Sequence, residues 1–307
     1  MKRLFGFIFK TEQNTASHIS FKLFGIKIHF LKPLIAKERK KIAQFYQKFK
    51  NAKDMPKATG DLRLIQKAYC GFLKQFDKIC EENNLQYWID FGTLIGAVRH
   101  EGFIPWDDDV DISMPREDYE KFIEKFRKGF DDYPDLEILF INNQRNKCFI
   151  KLKDKNSLNL SLDIFPYDFY YKELNEEEKN ELSQKIENIR KRKKKFKTIE
   201  DIRKNIQDLT HNFILENNSK NTDTPSIFMG IDFPHSHKNK VFDWNEIFPL
   251  RKIKFENTEL FAPNNPHDVL KREFGDYIKI PKDSYPRHSG YNCLKEKEKE
   301  LLRNYII

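Results

Sequence analysis

Between Phe91 and Met114 the chain reads FGTLIGAVRHEGFIPWDDDVDISM, with aspartates at 107, 108, 109 and 111 set beside Trp106, Val110 and Ile112. Carboxylates crowded against apolar side chains repel one another and lose hydration, so a cation must compensate them. That cation is either a structural Lys or Arg, or a divalent metal ion. Read as a strand, DVDIS sends Asp109 and Asp111 to one face and Val110 and Ile112 to the other. Asp107 shares their parity if the strand begins early. Hard oxygen donors of this kind suit Mg²⁺ or Mn²⁺. A third acid, Asp163, follows 52 residues after Asp111 in SLDIFPYD, flanked by Leu162 and Ile164 much as Asp111 is flanked by Val110 and Ile112. A bare DxD is common by chance, and its bland reading is a pair of surface acids matched by nearby bases. The combination with a glycine turn and a second apolar-Asp-apolar strand is much rarer. Asp109, Asp111 and Asp163 are therefore the expected metal ligands and catalytic carboxylates.

The glycine turn supplies the other half of such a site. Gly92 permits close approach of backbone, and the amides of Thr93 and Leu94 fall at a helix N-terminus, where a phosphate is held well. Gly96 and Ala97 keep that helix thin where it packs. Arg99 can meet a phosphate through two N–H groups, or it is a surface arginine. His100 is the weakest of these candidates, and a solvated loop histidine is its default.

These residues need elements to hold them. TGDLRLIQKAYCGFLKQFDKICEENNL places Leu62, Ile65, Tyr69, Phe72, Phe76 and Ile79 at helical spacing. QYWIDF reads as a strand, GTLIGAVRH as a tight turn opening a short helix, and DVDISM as a second strand. PREDYEKFIEKFRKGF is a helix with proline at its first position and acids in its first turn. LEILFINN, KCFIKLKD and LNLSLDIFPYDFYY read as three further strands. Residues 173–217 are charged and helical, and 218–245 read as loop. FPLRKIKFENTELFAPNN is a hairpin turning at Glu256-Asn257, and PHDVLKREFGDYIKIP is a helix stopped by Gly275. The order predicts an α+β fold with a small mixed sheet flanked by helices.

The 307-residue chain is moderately basic, with 56 Lys and Arg against 47 Asp and Glu, and its 28 phenylalanines provide for a sizeable core. It has four cysteines, at 70, 80, 148 and 293, and none lies in a zinc-type spacing. They fit free thiols in a reducing compartment, and hence a cytoplasmic protein. No apolar run is long enough to span a membrane. Residues 1–57 read as a basic appendage, with a hairpin pattern over 18–32 and a basic helix after it. Phe5, Phe7, Ile8 and Phe9 beside basic residues fit either a solvated extension or an edge touching the anionic inner face of a membrane. RKRKKKFK at 190–197 contains one aromatic residue and reads as a solvated helix face, not as a nucleic-acid site.

Residues 91–122, LDIFPYD at 162–168 and the block 248–281 resemble the LicD family of bacterial phosphocholine transferases. That family pattern also includes the animal fukutin-type ribitol-phosphate transferases. The resemblance spans roughly residues 61–281. It implies a polymerase-β-like nucleotidyltransferase core over 58–281, with a basic helical insert at about 173–240 and a C-terminal extension from 282 to 307. By the same resemblance Gly92 and Thr93 hold phosphate, and Asp109, Asp111 and Asp163 hold metal. The donor is a CDP-alcohol, the acceptor a hydroxyl on a glycan or glycolipid, and the released nucleotide CMP. Trp106 reads either as a core residue or, with Tyr277, as lining the donor or a choline-like head by cation–π contact, and Asp276 supports the substrate or ends its helix. The cysteine-rich zinc insertion of the fukutin-type proteins has no counterpart here. Two other readings stay open: a nucleotidyltransferase that releases pyrophosphate with the same metal ligands, and an inactive basic scaffold that binds membrane or glycan.

Overall fold

The computed structural model describes residues 10–14, 18–23, 26–31, 33–142, 148–157, 159–192, 198–217, 222–232, 240–286 and 294–306. Strands β1 (Lys10–Asn14), β2 (His18–Leu23) and β3 (Ile26–Leu31) form an antiparallel sheet in which His18 pairs with Leu31 and Leu23 with Ile26, the hairpin that the alternation over 18–32 predicts. Helix α1 (Pro33–Tyr46) follows, with proline at its first position, where a missing N–H costs nothing. Helix α2 (Gly60–Glu82) buries all six of its predicted apolar positions, from Leu62 to Ile79. Removing each such side chain from water is worth about 1.5–3 kcal/mol.

The site rests on a seven-stranded sheet. Strand β4 (Trp88–Ile89) is only two residues long, because Asp90 leaves it to cap helix α3 (Phe91–His100). Strand β5 (Val110–Pro115) leads directly into α4 (Arg116–Phe126). Strands β6 (Leu136–Asn142), β7 (Cys148–Asp154) and β8 (Ser161–Tyr170) follow, as read from the sequence. The hub is β8. One edge pairs in parallel with β5, and the other pairs antiparallel with β7 along its first half and with β9 (Ser226–Met229) along its second. Strand β10 (Val241–Phe242) extends this edge.

Strands β9 and β10 lie within the stretch 218–245 that reads as loop from sequence, and the short helix α7 (Trp244–Ile247) begins in it. Every residue of β9 is buried, so its SIFM shows no alternation, and four residues are too few to display a period. Helices α5 (Glu176–Arg192) and α6 (Ile199–Asn217) precede β9 and bury Leu182, Ile186 and Ile206 in a second core with Phe228 and Val241. Hairpin β11 (Arg251–Phe255) and β12 (Thr258–Ala262) turns at Glu256, whose φ is 54°. Helix α8 (Pro266–Phe274) stops at Gly275, and α9 (Glu296–Asn304) packs on α2. The two helices meet closely, since a Cβ on Gly71 would stand 1.9 Å from the Tyr305 carbonyl oxygen. Cys70 and Cys80 are free and buried, and burial pushes the Cys70 thiol up to about 11. No helix among the described residues is long and apolar enough to cross a membrane. Phe5 to Phe9, the Cys293 thiol and the basic run at 193–197 fall outside the described residues.

Candidate active site

The glycine turn and the acids come together at the start of β5. Asp90 caps α3, its Oδ1 accepting from the Phe91 amide at 2.8 Å. Its Oδ2 accepts from the Ser113 hydroxyl at 2.6 Å and the Tyr167 hydroxyl at 2.9 Å. This fully buried carboxylate thus locks α3 to β5 and β8. Sequence reasoning passed over Asp90, although an acid just before a Gly-Thr helix start is an N-cap signal. Phe91 is held at a φ of 44°, a conformation that costs a residue with a side chain about 1–3 kcal/mol and tends to persist at functional sites. Its ring is buried edge-on against Phe165, with centroids 5.5 Å apart.

Gly92 faces the acids, and a Cβ there would stand 3.1 Å from Asp107 Oδ2. Any side chain at 92 would push into the Asp107 carboxyl. The Thr93 hydroxyl accepts from the Asp111 amide at 2.9 Å, fastening the turn to the strand. The Leu94 amide donates to the Asp90 carbonyl at 3.0 Å, so it closes the first helical turn and is not available to a phosphate. Gly92 and Thr93 are the part of the turn that abuts the carboxylates.

The acids are gathered differently from the strand-parity expectation. Strand β5 begins at Val110, so Asp107, Asp108 and Asp109 precede it, and the chain's turn brings their oxygens within 4.8 Å of one another. Asp111 lies in the strand opposite Asp163 of β8, in parallel register. Lys151 of β7 is the antiparallel partner of Asp163, and its ammonium ion-pairs with that carboxylate. Register partners project from the same face, so Asp111, Asp163 and Lys151 share one side of the sheet. The alternation in KCFIKLKD could have marked Lys151, which lies opposite in face to the buried Ile150 and Leu152. The Asp107 carboxyl is pushed well above the usual range, first by burial and then by Asp109, Asp111 and Asp108. The Tyr69 phenol is raised mainly by burial and then by Asp109, with Asp163 and Asp108 adding to it. These couplings tie all five aspartates into one electrostatic cluster.

A second group surrounds Arg99. Its Nη1 donates to the Tyr277 carbonyl at 2.8 Å and its Nε to His100 Nε2 at 3.0 Å. The guanidinium lies 5.9 Å from the Trp106 ring centroid. Burial lowers it to about 10, while Asp107 works in the opposite direction. Arg99 is therefore the link between the acids and the Gly275–Tyr277 turn. Burial, and then Arg99, push His100 down to about 4, so its imidazole is neutral near pH 7. Trp106 is buried against Tyr46 of α1, with ring centroids 5.0 Å apart. The Tyr277 hydroxyl meets His267 Nδ1. Asp276 is exposed beside Tyr277.

An all-carboxylate donor set, packed closely against Gly92, fits a hard divalent cation such as Mg²⁺ or Mn²⁺. Among the described residues the group whose oxygens come within 4.8 Å of one another is Asp107, Asp108 and Asp109, so of the three expected ligands Asp109 belongs to it, while Asp111 and Asp163 face each other across β5 and β8 with Lys151 paired to Asp163.

Residues 84–209 match the LicD family, described as the LicD/FKTN/FKRP nucleotidyltransferase domain. The chain is 25% identical over 256 residues to the lipopolysaccharide cholinephosphotransferase LicD of Haemophilus influenzae, an alignment covering 74% of this chain and 96% of that one. It is 27% identical over 210 residues to the uncharacterized protein RT0683 of Rickettsia typhi, covering 67% of this chain and 45% of the relative's length. A 40-residue segment, 13% of this chain, is 45% identical to the human ribitol 5-phosphate transferase FKRP, of which it covers 8%.

Proposed function

We propose that this chain, which carries a LicD-family nucleotidyltransferase domain with a mixed sheet flanked by helices, is a metal-dependent phosphotransferase. It moves a phosphorylated alcohol of the choline, ribitol or glycerol type from a CDP-activated donor to a hydroxyl of a cell-surface glycan or glycolipid. CMP leaves. The reaction takes place on the cytoplasmic side. The observation that carries this reading is the convergence of the Gly92–Thr93 turn, Asp107–Asp109 and the registered pair Asp111–Asp163 at one end of β5. Two relatives support the transferred group, since their names specify cholinephosphate and ribitol 5-phosphate.

Phosphoryl transfer asks a protein for positioning and charge neutralisation more than for covalent chemistry. A divalent ion would neutralise the donor diphosphate against the acids. The chain's own residues do the rest. The Gly92–Thr93 end of α3 brings backbone close to a phosphate oxygen. Arg99, buried and coupled to Asp107, supplies positive charge near the acids. Asp163, held beside Lys151, completes the carboxylate set or receives the proton of the acceptor hydroxyl.

Incubation of the full chain with Mg²⁺, an acceptor glycan and a panel of CDP-alcohols tests the reading. CMP formation with one alcohol identifies the donor. Turnover of none of the panel, with CTP consumed instead, would replace this account by nucleotidyl transfer.

A further inference from the structure

Helix α1 has two faces with different chemistry. Ala43 and Tyr46 are buried, and Tyr46 sits on Trp106, the residue immediately before the acids. Gln47 Nε2 donates to the Pro281 carbonyl at 2.6 Å, and Arg39 lies 5.1 Å from the Tyr285 ring centroid, so the segment after Tyr277 also fastens α1 to the site. The opposite face exposes Lys37, Lys40, Lys41 and Gln44, Phe45 beside them is 45% exposed, and Lys48 is exposed just past the helix end. Residues 37–57 carry eight basic side chains against Glu38 and Asp54. Of these, Lys57 is committed to Glu256 at 2.6 Å. The segment fastened to α1 adds Ile278, 54% exposed, with Lys279 and Lys282 exposed near it.

From this we infer that the lysine face of α1, with Phe45 at its C-terminal edge, docks the enzyme on an anionic lipid surface. Lysines over such a surface gain roughly fivefold in partition each, and an exposed aromatic ring adds apolar contact with the acyl boundary. The exposed Phe45 and Ile278 favour lipid over a nucleic acid, since phosphodiester binding gives an aliphatic side chain nothing to enter. Docking through this face leaves only the thickness of one helix, about 10 Å, between the lipid headgroups and Trp106. The acids are thereby brought to an acceptor held in the membrane. The surface does not depend on the transfer reading, because vesicle binding requires no turnover.

Flotation of the full chain with vesicles of phosphatidylcholine alone, or with phosphatidylglycerol added, tests it. Binding is expected only with the anionic lipid, with release at high salt. The double substitution Lys40→Glu with Lys41→Glu should lower partition at least about tenfold, and Phe45→Ser should weaken it while leaving its salt dependence. All of these positions are exposed, so an unchanged melting temperature verifies the fold. Asp111→Asn should bind vesicles as the wild type does, which separates failure of this surface from failure of the site. Equal binding to both vesicle types, no loss in the double variant, or binding to duplex DNA without binding to vesicles would each overturn the proposal.

Discussion

Asp107 shows most clearly what the carboxylates do to one another, its proton held by burial and by three neighbouring aspartates. Such a group of acids opposes folding unless a cation enters it. Asp109→Asn or Asp111→Asn is therefore expected to remove nearly all transfer activity, while the metal-free melting temperature holds or rises. Wild-type turnover in either variant would rule out these residues as ligands. His100 makes a separate prediction. Its folded value of about 4 lies below the ordinary histidine value, so folding favours the neutral ring. Its contribution to stability is present above the ordinary value, about 6.5, and is lost as pH falls toward 4. Arg99 is the charge that faces it. The urea midpoint of the wild type should fall across that window more steeply than that of His100→Gln, and parallel curves would contradict the assignment.

Among the elements, the join of α4 to the sheet depends on Arg116. Its Nε and Nη2 donate to the two Asp168 oxygens at 2.8 and 2.9 Å, and it also ion-pairs with Asp232 beyond β9. Arg116→Met leaves two buried carboxylates without that cation, and a loss of about 3–5 kcal/mol is expected in urea unfolding. A change below about 1 kcal/mol would show that the three groups are not coupled. This network was not legible in PREDYEKF or LDIFPYD, because its members are far apart in sequence and meet only through sheet topology. The elements themselves were largely legible. Helix α2 and strands β5 to β8 announce themselves by periodicity, and the β11–β12 hairpin by its Glu-Asn turn. Strand β9 did not, since a short strand buried on every side has no alternation to read. The candidate site was half legible. Motif spacing pointed to Gly92, Thr93, Asp109, Asp111 and Asp163. The gathering of Asp107 to Asp109 by a turn, the Asp90 cap and the Lys151 partner require the folded chain.

At the scale of the whole molecule, α1 and α9 pack at different places, α1 on the loop that leads into the acids and α9 on the long helix α2. Tyr46 of α1 packs on Trp106, and α9 brings Tyr305 onto Phe72 and onto Asp154, whose carboxylate accepts from its hydroxyl at 2.6 Å. The chain carries a formal net charge of +9 while five aspartates gather where β5 begins, and the proposed donor is an anionic CDP-alcohol. The bond broken in that donor decides the account. The most direct measurement is ³¹P NMR of the full chain with Mg²⁺, CDP-choline or another CDP-alcohol and an acceptor glycan, with Asp111→Asn as the blank. The account predicts a growing CMP resonance matched by a phosphodiester on the acceptor, and neither in the variant. Pyrophosphate released from CTP and a phosphorylated substrate, with no CMP from any CDP-alcohol, would contradict it.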